Sequence, residues 1–142
     1  MDRVGRAVSH LAVQAAVVTA VLHLLWALPR LSWVPIGDSR PFIFVAAALL
    51  LITVAVAIFR GYHYRRLSTL GGGTLAVLVV GYPLYHGSAT ADALAGEPLA
   101  MAALLTEAVG IGAFCGLYYL SHPARQGPTA ADTGKRSSGD AE

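Results

Sequence analysis

Two runs of eighteen residues, Leu11–Leu28 and Phe42–Phe59, contain no aspartate, glutamate, lysine or arginine. A helix needs about 20 apolar residues to cross the roughly 30 Å hydrocarbon core of a bilayer. Buried strands run about 4–8 residues, so uninterrupted stretches of this length read as helices. Extended back to Ala7, the first run reaches spanning length, and Pro29 is expected to stop it. Pro41 precedes the second run, in the first helical turn, where its missing N–H leaves nothing unpaired. A third run, Leu67–Tyr85, is weaker: it holds Gly71, Gly72 and Gly73 near one end and Gly81 and Pro83 near the other. A fourth, Leu99–Leu120, is long enough but carries Glu107. The expectation is an all-α fold: an antiparallel, up-down bundle of four transmembrane helices with short loops. The spans fall at about 7–28, 42–59, 67–86 and 99–120, and residues 1–120 form one domain. Residues 121–142 are rich in Gly, Ser, Pro and mixed charge with no apolar period, which predicts a disordered tail.

Composition supports the membrane reading. The chain is 56% hydrophobic and only 13% charged, against about 25% charged in soluble domains. So few charges exclude a disordered chain, a nucleic-acid module and most small soluble enzymes. The net charge of +2 is too small to imply a nucleic-acid partner. Cys115 is the single cysteine, so no intrachain disulfide forms. The first run is too long for a signal peptide, and no small-x-small cleavage site follows it.

Basic residues set the expected orientation. Arg3 and Arg6 flank the first run, Arg30 and Arg40 the first loop, and Arg60, Arg65 and Arg66 the second. The third loop has none, and the tail has Arg125, Lys135 and Arg136. Four spans put eight basic residues on one side and two on the other. Both termini are therefore expected in the cytoplasm of a cell-membrane protein, with Arg60, Arg65 and Arg66 as topology anchors. Three arginines fall short of the cluster of about four to eight that marks anionic-lipid binding.

Glu107 is the costly residue. An acidic side chain at a helix centre costs about 3 kcal/mol on insertion scales, and an ionised carboxylate in hydrocarbon takes up a proton or finds a partner. Counting 1.5 Å per residue from the helix ends, Glu107 lies about 12 Å deep, His23 about 9 Å and Tyr82 about 6 Å, all measured from the outer side. His23, Tyr82 and Glu107 are thus a candidate polar cluster able to carry a proton, hold a cation or fix a polar head group. A protonated glutamate stitching two helices together is the plainer reading of the same residues. Ala12, Ala16 and Ala20 form a small-residue packing stripe that continues into His23 and Ala27, turning His23 toward another helix. Gly112 and Gly116, extended back to Ala108, form a second such stripe, roughly opposite Glu107, for a contact within the bundle or with a second copy.

No paired-His metal motif, Walker loop, Ser/His/Asp arrangement or Cys pair occurs, so no enzyme activity, metal or cofactor is expected. The five histidines are spread over both sides, and His23 and His86 differ in depth by about 9 Å, which argues against a haem.

Arginine outnumbers lysine nine to one, a bias of GC-rich genomes. His23 near the end of the first run, Ser39-Arg40-Pro41-Phe42-Ile43 opening the second, Tyr64-Arg65-Arg66-Leu67 opening the third and the short polar tail give the layout its character. It resembles that of small four-span membrane proteins of haloarchaea whose domain has no assigned function. The resemblance covers residues 7–120, implies a four-helix bundle and carries no activity or functional residue with it. The functional expectation is a small non-enzymatic membrane component, structural or accessory, whose partners are the lipid bilayer and a homo-oligomer or larger complex. The alternative is a proton- or cation-coupled transporter, or a ligand-binding protein, using His23 and Glu107.

Overall fold

The structure, a computed structural model, describes residues 3–33, 38–62 and 64–121. The described residues form α1 (Arg3–Leu31), α2 (Arg40–Phe59), α3 (Tyr64–His86), a 3-10 turn (Gly87–Ala89), α4 (Thr90–Gly96) and α5 (Pro98–Leu120). Four helical segments are long and apolar enough to cross a membrane: 3–31, 40–59, 65–96 and 98–120. The expected tail lies outside the described residues.

α1 packs along α2 and α5, and α3 packs along α5, while α2 and α3 touch less. The core follows the expected alanine stripe. Ala12, Ala16, Ala20 and Ala27 are fully buried. With no side chain beyond Cβ they let neighbouring backbones approach, which is how helices associate where lipid removes the hydrophobic drive. Phe114 on α5 is seated against the Gly71–Gly72 backbone of α3. A Cβ added at Gly71 would lie 2.6 Å from Phe114 Cζ, so any side chain there would force the buried ring to shift. Large apolar side chains such as Leu25, Leu49, Val77 and Leu105 point outward and are well exposed. Such an exposed apolar surface fits lipid rather than water.

Three local features differ from the sequence reading. α1 starts at Arg3 and runs through Pro29 to Leu31, so the proline does not stop it. Pro29 lies in the last turn, where only the bond to the Leu25 carbonyl is lost. Beside it the Arg30 guanidinium donates to the Trp26 carbonyl at 2.7 Å, a favourable place for a cation at a helix C-terminus. The third connection, expected as a loop, holds the 3-10 turn and α4. Alanines at 89, 91, 93 and 95 give this stretch high helix propensity despite its lack of an apolar period. Gly87, at φ +56°, supplies the break from α3.

α2 ends in a Schellman cap. Gly61 takes φ +81°, Tyr62 N–H donates to the Ala57 carbonyl at 3.0 Å, and Gly61 N–H to the Ile58 carbonyl at 2.9 Å. At its start, Asp38 accepts from Arg40 N–H, Nε and Nη2 at 3.0, 2.8 and 2.7 Å. This turn fixes both the helix entrance and the guanidinium direction.

Candidate intramembrane polar site

His23 and Glu107 are both buried, and Nε2 of His23 lies 3.4 Å from Oε1 of Glu107. Each comes from the inward face of its helix. His23 continues the alanine stripe of α1, and Glu107 shares a face with Gly110, Ala113, Phe114 and Leu117 of α5. The close approach of the two helices rests on small residues nearby, Gly110 one turn from Glu107 and Ala15 two turns from His23: a Cβ at Gly110 would lie 3.2 Å from Cβ of Ala15. The sequence reading missed Gly110. It lies three residues after Glu107, which is the spacing that would have put it on the same face.

The imidazole is oriented by its own helix. Nδ1 is 2.9 Å from the Thr19 carbonyl, an acceptor that requires Nδ1–H. Nε2 is then the nitrogen presented to Glu107. Phe44 of α2 meets the imidazole edge-on, with centroids 4.8 Å apart at 80°.

Above the pair a cavity of about 520 Å³ is lined by residues of α1, α2, α3 and α5. Its walls are largely apolar, with Trp26, Phe44, Leu104 and Tyr82 among them, and it falls within the range of about 300–1,000 Å³ usual for small-molecule sites. Tyr82, the third expected member, lines the same cavity, and its buried hydroxyl has no hydrogen-bond partner. Thr19 Oγ1, one turn before His23, is also buried without a partner. Threonines 53, 69, 74 and 106 instead donate to carbonyls four residues back.

The rim of the cavity was not singled out from sequence. Arg40, gripped by Asp38, lies over the Tyr85 ring at 4.3 Å and 5.8 Å from the Trp26 ring. Hydrogen bonds from Arg40 hold the Asp38 carboxyl down to a pKa of about 2. Glu97, at the start of α5, and His86, stacked on Tyr82 at 4.5 Å, complete it. The readable signal was Asp38 two residues before an arginine and a helix-opening proline.

The remaining expected residues are placed as follows. Ala12, Ala16 and Ala20 are buried as packing residues. Gly116 is half-buried, its Cβ position 3.2 Å from Val8 of α1. Gly112 meets no other helix and Ala108 is exposed, so only the Gly116 end of this stripe lies inside the bundle. The bundle uses Gly110 on the opposite face instead. Arg60 is exposed, Arg65 donates to the Tyr118 hydroxyl at 3.1 Å, and Arg66 borders a groove between α2 and α3. Among the described residues no group of three or more metal-ligating side chains forms.

The chain matches no family model, no curated protein and no solved structure. Fold and site together describe an all-helical protein, with four helices able to cross a membrane, built around a buried imidazole–carboxylate pair.

Proposed function

We propose that this is a non-enzymatic multi-pass membrane protein in which His23 and Glu107 share one exchangeable proton at the floor of a ligand-binding cavity. The observation that carries the reading is the 3.4 Å contact between His23 Nε2 and Glu107 Oε1, with Nδ1 committed to Thr19. Without a proton, a nitrogen lone pair would face a carboxylate oxygen. With one, the pair is either a carboxyl–imidazole or a carboxylate–imidazolium, overall neutral, and tolerable in a water-poor interior. A pair that is neutral with one proton and anionic without it can exchange that proton for a charge or a dipole brought by a ligand.

The bundle is read as antiparallel. Partners on α5 descend in number as those on α1 rise, from Val8 with Gly116, through Ala15 with Gly110, to His23 with Glu107. With the basic residues on the cytoplasmic side, both termini lie there and the cavity opens outward in a cell membrane.

The proton-sharing reading is tested by nitrogen NMR of histidine-labelled protein. His23 is expected with Nδ1 protonated and Nε2 in a proton-sharing bond, and Glu107→Gln shifts the Nε2 signal. A His23 with bare Nδ1, or an Nε2 signal indifferent to Glu107→Gln, overturns it. A second reading, a structural or accessory subunit that meets a second copy or a larger complex, is favoured by the outward placement of Ala108 and Gly112. Under that reading alone the pair is helix stitching and exchanges nothing.

A further inference from the structure

We propose that the cavity above His23 and Glu107 takes a lipophilic monovalent cation, whose binding releases the pair's proton. The inference rests on the proton-sharing reading and adds the class of ligand. Three acids line the cavity, Asp38, Glu97 and Glu107, against one arginine, Arg40. That arginine is already neutralised by Asp38 through paired hydrogen bonds of 2.8 and 2.7 Å. Glu97 has no ion pair among the described residues. Once the pair has lost its proton, Asp38, Glu97 and Glu107 outnumber the two guanidinium groups at the cavity, Arg40 and the Arg30 that lies over Trp26, by one charge, which a monovalent cation balances.

The walls suit the same guest. Trp26 and Tyr85 already hold guanidinium groups over their faces, at 4.1 and 4.3 Å, which shows the aromatic rim in a geometry that accepts cations. Deeper in, the buried Tyr82 hydroxyl has no partner, and a hydroxyl can turn its lone pair toward positive charge. At the floor, the buried Glu107 carboxyl lines the same cavity.

The exchange balances. The pair, neutral with one proton, gives that proton to water at the mouth, leaving neutral imidazole and carboxylate. The cation then restores neutrality beside Glu107. No covalent bond other than the O–H or N–H changes. One proton released per cation makes affinity fall tenfold for each pH unit lowered, wherever the free pair is protonated. The other groups facing the cavity are Arg40 on α2 with Asp38 before it, Tyr82, Tyr85 and His86 on α3, and Glu97 before α5. Among these, His86 is the alternative proton source that the test has to separate.

The test uses the full chain in detergent, with tetraphenylphosphonium as the cation and triphenylphosphine oxide as its neutral analogue. Binding is followed by tryptophan fluorescence, and released protons by an indicator dye in weak buffer. The expected result is saturable cation binding, one proton released per cation, and the tenfold change per pH unit. Glu107→Gln abolishes the release, and His86→Gln leaves it. Saturable binding without proton release overturns the proposal. So does tighter binding of the oxide, loss of release in His86→Gln but not in Glu107→Gln, or no saturable cation binding. Should Glu107→Gln fail to fold, the pH dependence of the unsubstituted protein decides. A normal histidine NMR result with no cation binding would remove this inference alone and leave the proton-sharing pair standing.

Discussion

Asp38 accepts three hydrogen bonds from Arg40, at 3.0, 2.8 and 2.7 Å, and these hold its carboxyl down to a pKa of about 2 against an ordinary 3.8. A carboxyl whose folded pKa is depressed contributes stability that is present above the unfolded pKa and lost as pH falls through the folded one. The contribution is therefore complete above about pH 4 and disappears between there and about pH 2. Asp38→Asn is expected to lower the melting temperature in detergent at neutral pH, and the gap from the unsubstituted protein should close over that acid range. A gap that persists at pH 2 would show that Asp38 acts through something other than its charge. The same residue marks a limit of the sequence reading. His23 and Glu107 were legible because burying polarity in hydrocarbon is costly, and cost directs such residues toward each other. Asp38 and Arg40 lie at a helix entrance where charge costs little, so composition gave no reason to single them out. Tyr82 was placed by depth alone, and its partnerless hydroxyl is a property of packing that no spacing reveals.

Among the elements, α3 shows where pattern reading and packing part. Three consecutive glycines made it read as the weakest span. In the fold, Gly71 is the seat of the Phe114 ring, fully buried on α5, and the glycines give close contact rather than weakness. Gly73, two residues on, faces open space. Gly71→Leu is therefore expected to destabilise the bundle by about 1–3 kcal/mol, the usual cost of overpacking. Gly73→Leu should leave stability unchanged or slightly improved, because leucine is the better helix former and nothing obstructs it. Equal destabilisation by both, measured by thermal unfolding in detergent, would mean that the loss reflects glycine chemistry and not the ring contact. The two alanine- and glycine-based stripes make the same point in opposite directions. On α1 the four-residue spacing of Ala12, Ala16 and Ala20 coincides with the buried face, since only that face also carries His23 and Ala27. On α5 the more familiar spacing, Gly112 to Gly116, lies away from Glu107. Of that pair only Gly116 meets α1, at Val8, and the close contact on the Glu107 face is made by Gly110, which forms no motif. A stripe of small residues indicates where close approach is allowed; the costly polar residue indicates which face turns inward.

For the molecule as a whole, the arrangement of surface residues supports a bilayer with a defined inside and outside. Exposed leucines and valines run along all four long helices of the bundle. Exposed aromatics gather toward its two ends: Trp33 and Tyr85 beside the cavity mouth, and Tyr62, Tyr118 and Tyr119 at the other. That is the interfacial belt expected where ring and hydroxyl each find their own medium. Arg60, Arg65 and Arg66 lie with the second group, and the mouth end bears Asp92 and Glu97 with no basic residue in the connection between them. Under the proposed orientation, which follows the positive-inside rule, the mouth is outside and residues 60–66 are cytoplasmic. The test uses a background in which the exposed Cys115 is replaced by serine, so that it contributes no signal. In that background a membrane-impermeant maleimide added to intact cells should label Asp92→Cys and fail to label Tyr62→Cys until the cells are broken. The reverse pattern would invert the molecule and open the cavity to the cytoplasm, leaving the His23–Glu107 geometry intact but reversing the side from which a cation and a proton reach it. Labelling of both positions from outside would overturn the span assignment itself, because the single crossing by α3 between them puts the two connections on opposite faces.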